Sequence, residues 1–556
     1  MRKHDRLIAA VLAFLRMFSS SSWRRMCRKA KDERKRKGKE WAQWEYMANC
    51  VLGKLAGAAS LRTLEMLTDL AVGCEGGMLG GRRMPDSNVH DWMTKASLEA
   101  WHQRLLGMVY DLHRRKMLEP VHCITICKEL AHVLAFDGKV SFSEIGVVEE
   151  DPLRLRLQRS GTKKVKMADG STKEVTYKYT TVDVVRAVLA SAAAPVCLAL
   201  APMEKGNEVK AVRSLYGRVT GDLPWLASRP LVVTGDARQG NKQFAKDIGD
   251  PYRQPAQGKS SGQFYVLKIK GNAGHIHTEG MRAALALLDS GAKSEASDDW
   301  HHEGHGRWVK RELFRVDTPI GLGLKPREEP HLNRTDVAIL SRKDWPTVRQ
   351  ILVVRQTQRF DHPPKDGSPQ ETHELRLLIS NIKREDCSPR DLLTLVRLEW
   401  QVEVHHNVLD LVMREDRKQW ACAANSPIAM ATLNSMAANL IMLLRNRHLR
   451  SEDNRLLSYP QLQMLILAAL AGQRAFKVLQ AQQKKNLLAQ LDSDGQPLPE
   501  EFTKQWSDAE LSQLMLALKH LFTYVAAAAC GAAKKVRLLL EADLCSGNVT
   551  AELILI

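Results

Sequence analysis

The chain has 556 residues, 44% hydrophobic and 26% charged, a balance that excludes a mostly disordered chain, a collagen-like fibre and a small disulfide scaffold. Lys and Arg number 82 against 63 Asp and Glu, a formal net charge of +19. That imbalance favours a polyanionic partner, either nucleic acid or an anionic membrane surface.

Residues 1–40 carry 14 Lys/Arg against 4 Asp/Glu, about half of the whole excess. Arg24, Arg25, Arg28 and Lys29, lying between Trp23 and Trp41, are candidate DNA contacts; a solvated basic leader is the plainer reading. The apolar run Leu7–Leu15 is broken by Arg16 and no small-residue cleavage site follows, so no signal peptide is expected. Residues 41–130 read as helical, with Met47, Val51, Leu52, Leu55 and Ala58 on one face and a further helix at Leu98–Arg115.

Near Val133 the pattern changes to short β-rich runs alternating with helices, an α/β signature. Strands are expected at Val133–Phe136, Val182–Val188, Val196–Ala201, Leu231–Thr234 and Tyr265–Ile269, with a hairpin turn at Asp169-Gly170. The uncharged stretch Ala187–Met203 contains Pro195 and is too short for a bilayer. No membrane span is expected, and the ten scattered cysteines suit reduced thiols of a cytoplasmic protein. More strands are expected at Trp308–Val316, Ile351–Val354 and Leu375–Ile379. Ser388-Pro389-Arg390-Asp391 then carries helix-start signals, and residues 391–450 and 456–540 read as helical.

Three carboxylates stand out. Asp137 and Asp236 each follow a buried-strand run, His132–Phe136 and Leu231–Gly235, and are expected at strand ends. Glu403 lies in the helical stretch after Ser388. Two acids on adjacent strands with a third from a packed helix make a hard oxygen cage suited to magnesium; an acid closing a strand at a turn is the plainer reading of each.

Phe136-Asp137-Gly138-Lys139 resembles the first-carboxylate motif of DDE transposases of bacterial insertion sequences, the H-repeat-associated type. In the same order, Lys205-Gly206-Asn207-Glu208 resembles that family's K-x-N-E, and Thr234-Gly235-Asp236-Ala237 its second-carboxylate T-x-D-A. Tyr265–Asn272 resembles its Y-V-L-x-x-K-G-N strand, His301–Arg307 its H-x-x-G-H-G-R segment, and Arg397–Glu403 its R-x-H-W-x-I-E. Leu409-Asp410 and Arg414-Glu415-Asp416 echo its tail. The chain departs from the family at Val140–Glu144, at Glu399 and at Val404, and is about one residue shorter between Glu403 and Leu409, a helical rotation of roughly 100°. Glu399, one turn earlier, is therefore the alternative third carboxylate.

The resemblance implies an RNase H-like core (retroviral-integrase-like), a mixed sheet with flanking helices and a β-rich insertion over about 273–387. It implies a basic helical DNA-binding region at 1–130, the catalytic core at 131–450 and a helical accessory region at 451–556. The implied activity is cleavage and strand transfer at the element's terminal inverted repeats, with Asp137, Asp236 and Glu403 holding two Mg2+ ions, for which Mn2+ can substitute. Lys139, Lys205, Lys268, Lys270, Arg307 and Arg397 are the implied DNA contacts in the core. Element-end DNA, target DNA and a second copy on DNA are the expected partners; no nucleotide cofactor is expected, since no Walker-type motif occurs and Pro319–Leu324 lacks the phosphate lysine. A transposase-derived protein that binds DNA without cutting it is the other reading, as is a host nuclease on the same core. His301-His302-Glu303-Gly304-His305 is not the helical H-E-x-x-H of a zinc site.

Overall fold

The computed structural model describes residues 3–34, 41–70, 83–145, 155–166, 172–252, 262–302, 307–318, 345–362, 369–415, 420–449, 457–467, 469–470, 536–543 and 548–555. Six helices come first: α1 (Lys3–Arg16), α2 (Ser20–Cys27), α3 (Gln43–Leu55), α4 (Leu61–Leu70), α5 (Asp86–Lys95) and α6 (Leu98–Arg114). A small hairpin of β1 (Thr125–Ile126) and β2 (Glu129–Leu130) precedes β3 (His132–Ile145), β4 (Arg156–Lys166), β5 (Thr172–Leu189) and β6 (Val196–Pro202). Then come α7 (Glu208–Asp222), β7 (Leu231–Gly235), α8 (Lys242–Ile248), β8 (Gln263–Ile269) and α9 (His275–Asp289). Strands β9 (Ala296–Ser297), β10 (His301–His302), β11 (Arg307–Asp317), β12 (Gln350–Phe360) and β13 (Glu371–Ser380) follow. The chain continues through α10 (Pro389–Leu398), α11 (Gln401–Leu411), α12 (Ser426–Leu443), β14 (Val536–Asp543) and β15 (Asn548–Leu555).

The chain divides into two compact units, residues 1–111 with 408–556, and residues 112–407. These boundaries differ from the 130/131 and 450/451 expected from sequence, because α12 belongs with the N-terminal helices. In that unit the Trp420 indole donates to the Ala58 carbonyl at 3.2 Å, and the Asn425 amide to that of Ala96 at 3.0 Å. The run Leu7–Leu15 is a core helix, with Val11, Phe14 and Leu15 at most 1% exposed. The helix Ser426–His448 is long and apolar enough to cross a membrane, but its apolar part, Ser426–Leu443, is wholly buried inside the protein.

The expected helical C-terminal region is corrected. Among its described residues, 459–467 are helical, whereas β14 and β15 pair as an antiparallel hairpin. Leu538–Leu540, at the end of the stretch expected to be helical, lies in β14, since a short apolar run cannot by itself tell helix from strand. The rest of the expected helix over 471–535 lies outside the described residues.

In the second unit, among the described residues, eleven strands form one mixed sheet. At its centre β3 pairs in parallel with β7, and β7 in parallel with β8. On the other side β3 pairs antiparallel with β5, which pairs antiparallel with β4 and β6. Beyond β8 the sheet continues antiparallel through β13, β12 and β11. Every expected strand is present, and the strands flanking Asp169-Gly170 pair down to Lys166 opposite Thr172.

The centre is apolar on both faces, as a strand covered by helices must be. Val133, Leu134, Ala135 and Phe136 are at most 1% exposed, and the Phe136 ring meets Tyr216 of α7 and Phe244 of α8 edge-on at 6.3 and 6.0 Å. Side-chain caps start three helices of this unit: Asn207, Asn241 and Ser388 accept from the backbone N–H of Lys210, Phe244 and Asp391. Two parts of the sheet overrun the carboxyl ends of β7 and β8. β13 begins six residues before Leu377, the partner of Ile269 at the end of β8. On the other side β5 runs far past Ala187, the partner of Phe136.

Candidate metal centre

Phe136 lies beside Gly235 in the parallel pairing of β3 and β7, so the next residues, Asp137 and Asp236, emerge on neighbouring strands at one end of the sheet. Asp137 is not at a strand end, as expected from sequence; β3 continues to Ile145 because β5 keeps pairing where β7 stops. Asp236 does leave its strand. Its carboxylate accepts the Arg238 N–H at 2.7 Å and its carbonyl that of Gly240 at 3.1 Å. The turn closes tightly on β8, for a Cβ on Gly240 would fall 1.8 Å from the Lys268 carbonyl oxygen.

Glu403 and His406 stand three residues apart on α11 and so share a helix face. One ligand atom each from Asp137, Glu403 and His406 lie within 4.8 Å of one another. His406 Nδ1 is 3.4 Å from Asp137 Oδ2, the ring is buried, and Nε2 has no hydrogen-bond partner among the described residues. Asp236 stands outside that set, yet it acts electrostatically on Asp137, Glu403 and Glu399.

The electrostatics are those of crowded acids. Burial pushes Asp137 up to about 6, opposed by the Gly138 N–H and reinforced by Asp236. Glu403 is raised by desolvation, then by the charges of Asp137 and Asp236. Burial raises Glu399 to about 7, but Lys268 and Arg376 act against that rise. Burial holds His406 well below its ordinary value, with Arg186 and Lys139 adding to it, so its ring is neutral. Hard carboxylate oxygens this close suit a divalent cation, which would remove their mutual repulsion. A neutral imidazole beside them adds a donor less suited to Mg2+ than to transition metals.

Sequence reasoning missed three residues here: His406, Glu208 and Arg238. Glu208 begins α7, is 6% exposed, and accepts from Arg238 Nη1 at 2.8 Å and Gln239 Nε2 at 2.6 Å. A Cβ on Gly138 would fall 2.9 Å from the Glu208 carboxyl carbon. Glu208 thus ties the Asp236 turn to the strand position beside Asp137. It was within a quoted motif, but nothing in its spacing signals this partnership.

The expected DNA contacts are spread more widely. Lys139, two residues past Asp137 on β3, acts electrostatically on Glu403 and His406. Lys268 is half-buried beside Glu399, with its pKa lowered by burial, and Lys270 is exposed at the end of β8. Lys205 is exposed in a turn, with a left-handed φ of 49°. Arg397 is exposed on α10. Arg307 opens β11 opposite Phe360, away from the acids along the sheet. Arg24, Arg25, Arg28 and Lys29 are exposed on α2 and just after it in the other unit. Arg25 is paired with Asp111 at 3.1 Å. Residues 303–306 and 416, within two of the motifs, and the stretch 319–324 lie outside the described residues. No protein-family model matches the chain, and no curated protein matches it.

Proposed function

We propose that the chain is a DDE-type transposase with an RNase H-like core, cutting and joining DNA with divalent cations held by Asp137, Asp236 and Glu403. One observation carries the reading: the strand order β6-β5-β3-β7-β8, antiparallel across the first three and parallel across the last three, with an acid from β3, an acid after β7 and Glu403 facing the first. That is the arrangement an RNase H-like core requires, and the resemblance motifs supply the same three acids. The net charge of +19 suits DNA as partner, and action in the cytoplasm follows from the same reading.

A pair of divalent cations, when bound, would activate the attacking oxygen and stabilise the leaving one. The protein's own part is positional. β3 and the tight Asp236 turn set two carboxylates side by side, α11 brings Glu403 to them, and Lys139 and Lys268 offer cationic charge to the phosphates. Glu403 takes precedence over Glu399 as third ligand, since Glu403 and not Glu399 has a ligand atom within 4.8 Å of those of Asp137 and His406.

The test uses the full chain and the DNA flanking its gene. Inverted repeats there should be cut at their ends in Mg2+ or Mn2+, and Asp137→Ala should abolish the cut. Flanks without repeats, together with no divalent-dependent cleavage of any duplex, would sink the proposal.

A further inference from the structure

The sheet carries a second feature that the acid cluster does not use. β5 pairs with β3 from Leu189 to Tyr179 and with β4 from Val182 to Thr172. Over Thr172–Lys178, β4 is therefore its only strand neighbour among the described residues, and the two project as a ribbon. Tyr177 lies opposite Gly161, and a Cβ there would fall 3.1 Å from the Tyr177 ring. The Tyr177 and Tyr179 rings are 5.6 Å apart on one face. Arg159, bonded to Asp183 and Thr181, ties the root of the ribbon to itself. Lys164, Lys173 and Lys178 are exposed along it, and Tyr177 is 37% exposed. From Arg156 to Val182 the sequence has 7 Lys/Arg against 2 Asp/Glu.

The ribbon's placement sets a length. Asp137 is paired with Arg186, and Thr176, mid-ribbon, is 186 − 176 = 10 residues further along β5. At about 3.3 Å per residue that is roughly 33 Å, close to one turn of B-form DNA at about 34–36 Å. The major groove, about 12 Å wide, admits a two-stranded β-ribbon, and the exposed lysines match the phosphates that line it.

We propose that this ribbon is a DNA-binding arm that enters the groove of a duplex about one helical turn from the phosphodiester held at the acid cluster. The proposal rests on the cleavage reading above for the second half of that statement and on the ribbon's own charge and shape for the first. Val175 and Tyr177, 41% and 37% exposed, share one face with Tyr179, but this apolar strip is one strand wide and flanked by exposed lysines, whereas the core of a protein interface is depleted of charge.

The experiment measures binding of the full chain to random-sequence duplexes from under one turn to three turns long. Two variants are compared with wild type: Lys164→Glu/Lys173→Glu/Lys178→Glu, and the milder set with Gln at the same positions. Circular dichroism and melting of each variant check that it folds. Wild-type affinity should rise once the duplex exceeds one turn. Both variants should lose that rise, and the salt slope should flatten by about 0.9 for each lost phosphate contact. Unchanged length dependence and slope in both variants would overturn the arm. So would a variant effect confined to self-association or to binding of anionic vesicles. If duplex binding depends on the arm but no divalent-dependent cleavage occurs, the cleavage reading falls and the arm stands. Cleavage that is indifferent to the arm variants gives the reverse, and no duplex binding at all sinks both.

Discussion

His406 Nδ1 stands 3.4 Å from Asp137 Oδ2, so the helix residue one turn past Glu403 touches the strand acid directly. A neutral buried imidazole there either donates its N–H to the carboxylate or offers a lone pair to a cation that Asp137 also holds. In both cases the ring fixes how Asp137 presents its oxygens. Its other nitrogen has no partner among the described residues, so packing alone does not account for a histidine at this position. His406→Ala should weaken Mn2+ binding by about 10–100-fold, as loss of a ligand's oriented partner does, and His406→Gln by less. Calorimetric titration with Mn2+ checks this; equal affinity in wild type and His406→Ala would reduce the ring to filler.

The acids themselves should act as a unit. Asp137→Ala, Asp236→Ala and Glu403→Ala should each lower cleavage on the order of 10³-fold or more while DNA binding persists. Glu399→Gln should cost far less, because Glu399 lies outside the Asp137–Glu403–His406 group and the largest charge acting on it is Lys268. Inactive Glu399→Gln beside active Glu403→Ala would move the third ligand back one turn.

Much of this centre is legible in the sequence. The short apolar runs before Asp137 and Asp236, each closed by turn residues, read as buried strands, and Ser388 with Pro389 marks a helix start. Register was not legible: that Phe136 faces Gly235, which brings the two acids level, depends on a parallel pairing across 99 residues. His406 was hidden because a histidine in an amphipathic helix has no periodic signature. Glu208 was hidden because its partners, Arg238 and Gln239, lie about thirty residues away on a turn that only the closed fold brings near. α12 is the helix expected there, but its place with the N-terminal helices depends on distant partners, and Leu538–Leu540 is a short apolar run whose strand character comes from its neighbour β15.

Glu208 gives a prediction that separates positioning from chemistry. Its carboxylate holds both Arg238 and Gln239, and hydrogen bonds to a charged group are worth about 1.5–3 kcal/mol each. Glu208→Ala should therefore destabilise the second unit and loosen the Asp236 turn. Arg238→Ala should do less, since Arg238 is mostly exposed and the Gln239 bond survives it. Gly138→Ala should mimic Glu208→Ala by crowding the same carboxyl. Melting temperatures in the order wild type, Arg238→Ala, Glu208→Ala would support the clamp, and the reverse order for the two variants would refute it.

Stability should also report the acid crowding. Asp137 is raised from 3.8 to about 6 and Glu399 from 4.5 to about 7, with Glu403 raised as well. The folded state therefore binds these protons more tightly than the unfolded chain does. The stability they contribute is fully present below the unfolded values and is lost as pH rises through about 6 to 7. A divalent cation competes with the same protons, so its stabilising effect must grow in the opposite direction, being small near pH 5 and large near pH 8. At a cation concentration about 100 times the dissociation constant the gain is about 2.7 kcal/mol. Thermal unfolding from about pH 5 to pH 8, in EDTA and in Mg2+ or Mn2+, measures both trends. Asp137→Asn with Glu399→Gln should flatten the EDTA profile in that window, because neither amide titrates, and Asp137→Asn should remove most of the cation's effect, because it takes away a carboxylate ligand. A cation gain that is larger at pH 5 than at pH 8, or one that survives in the double variant, would show that divalent cations bind somewhere other than these acids.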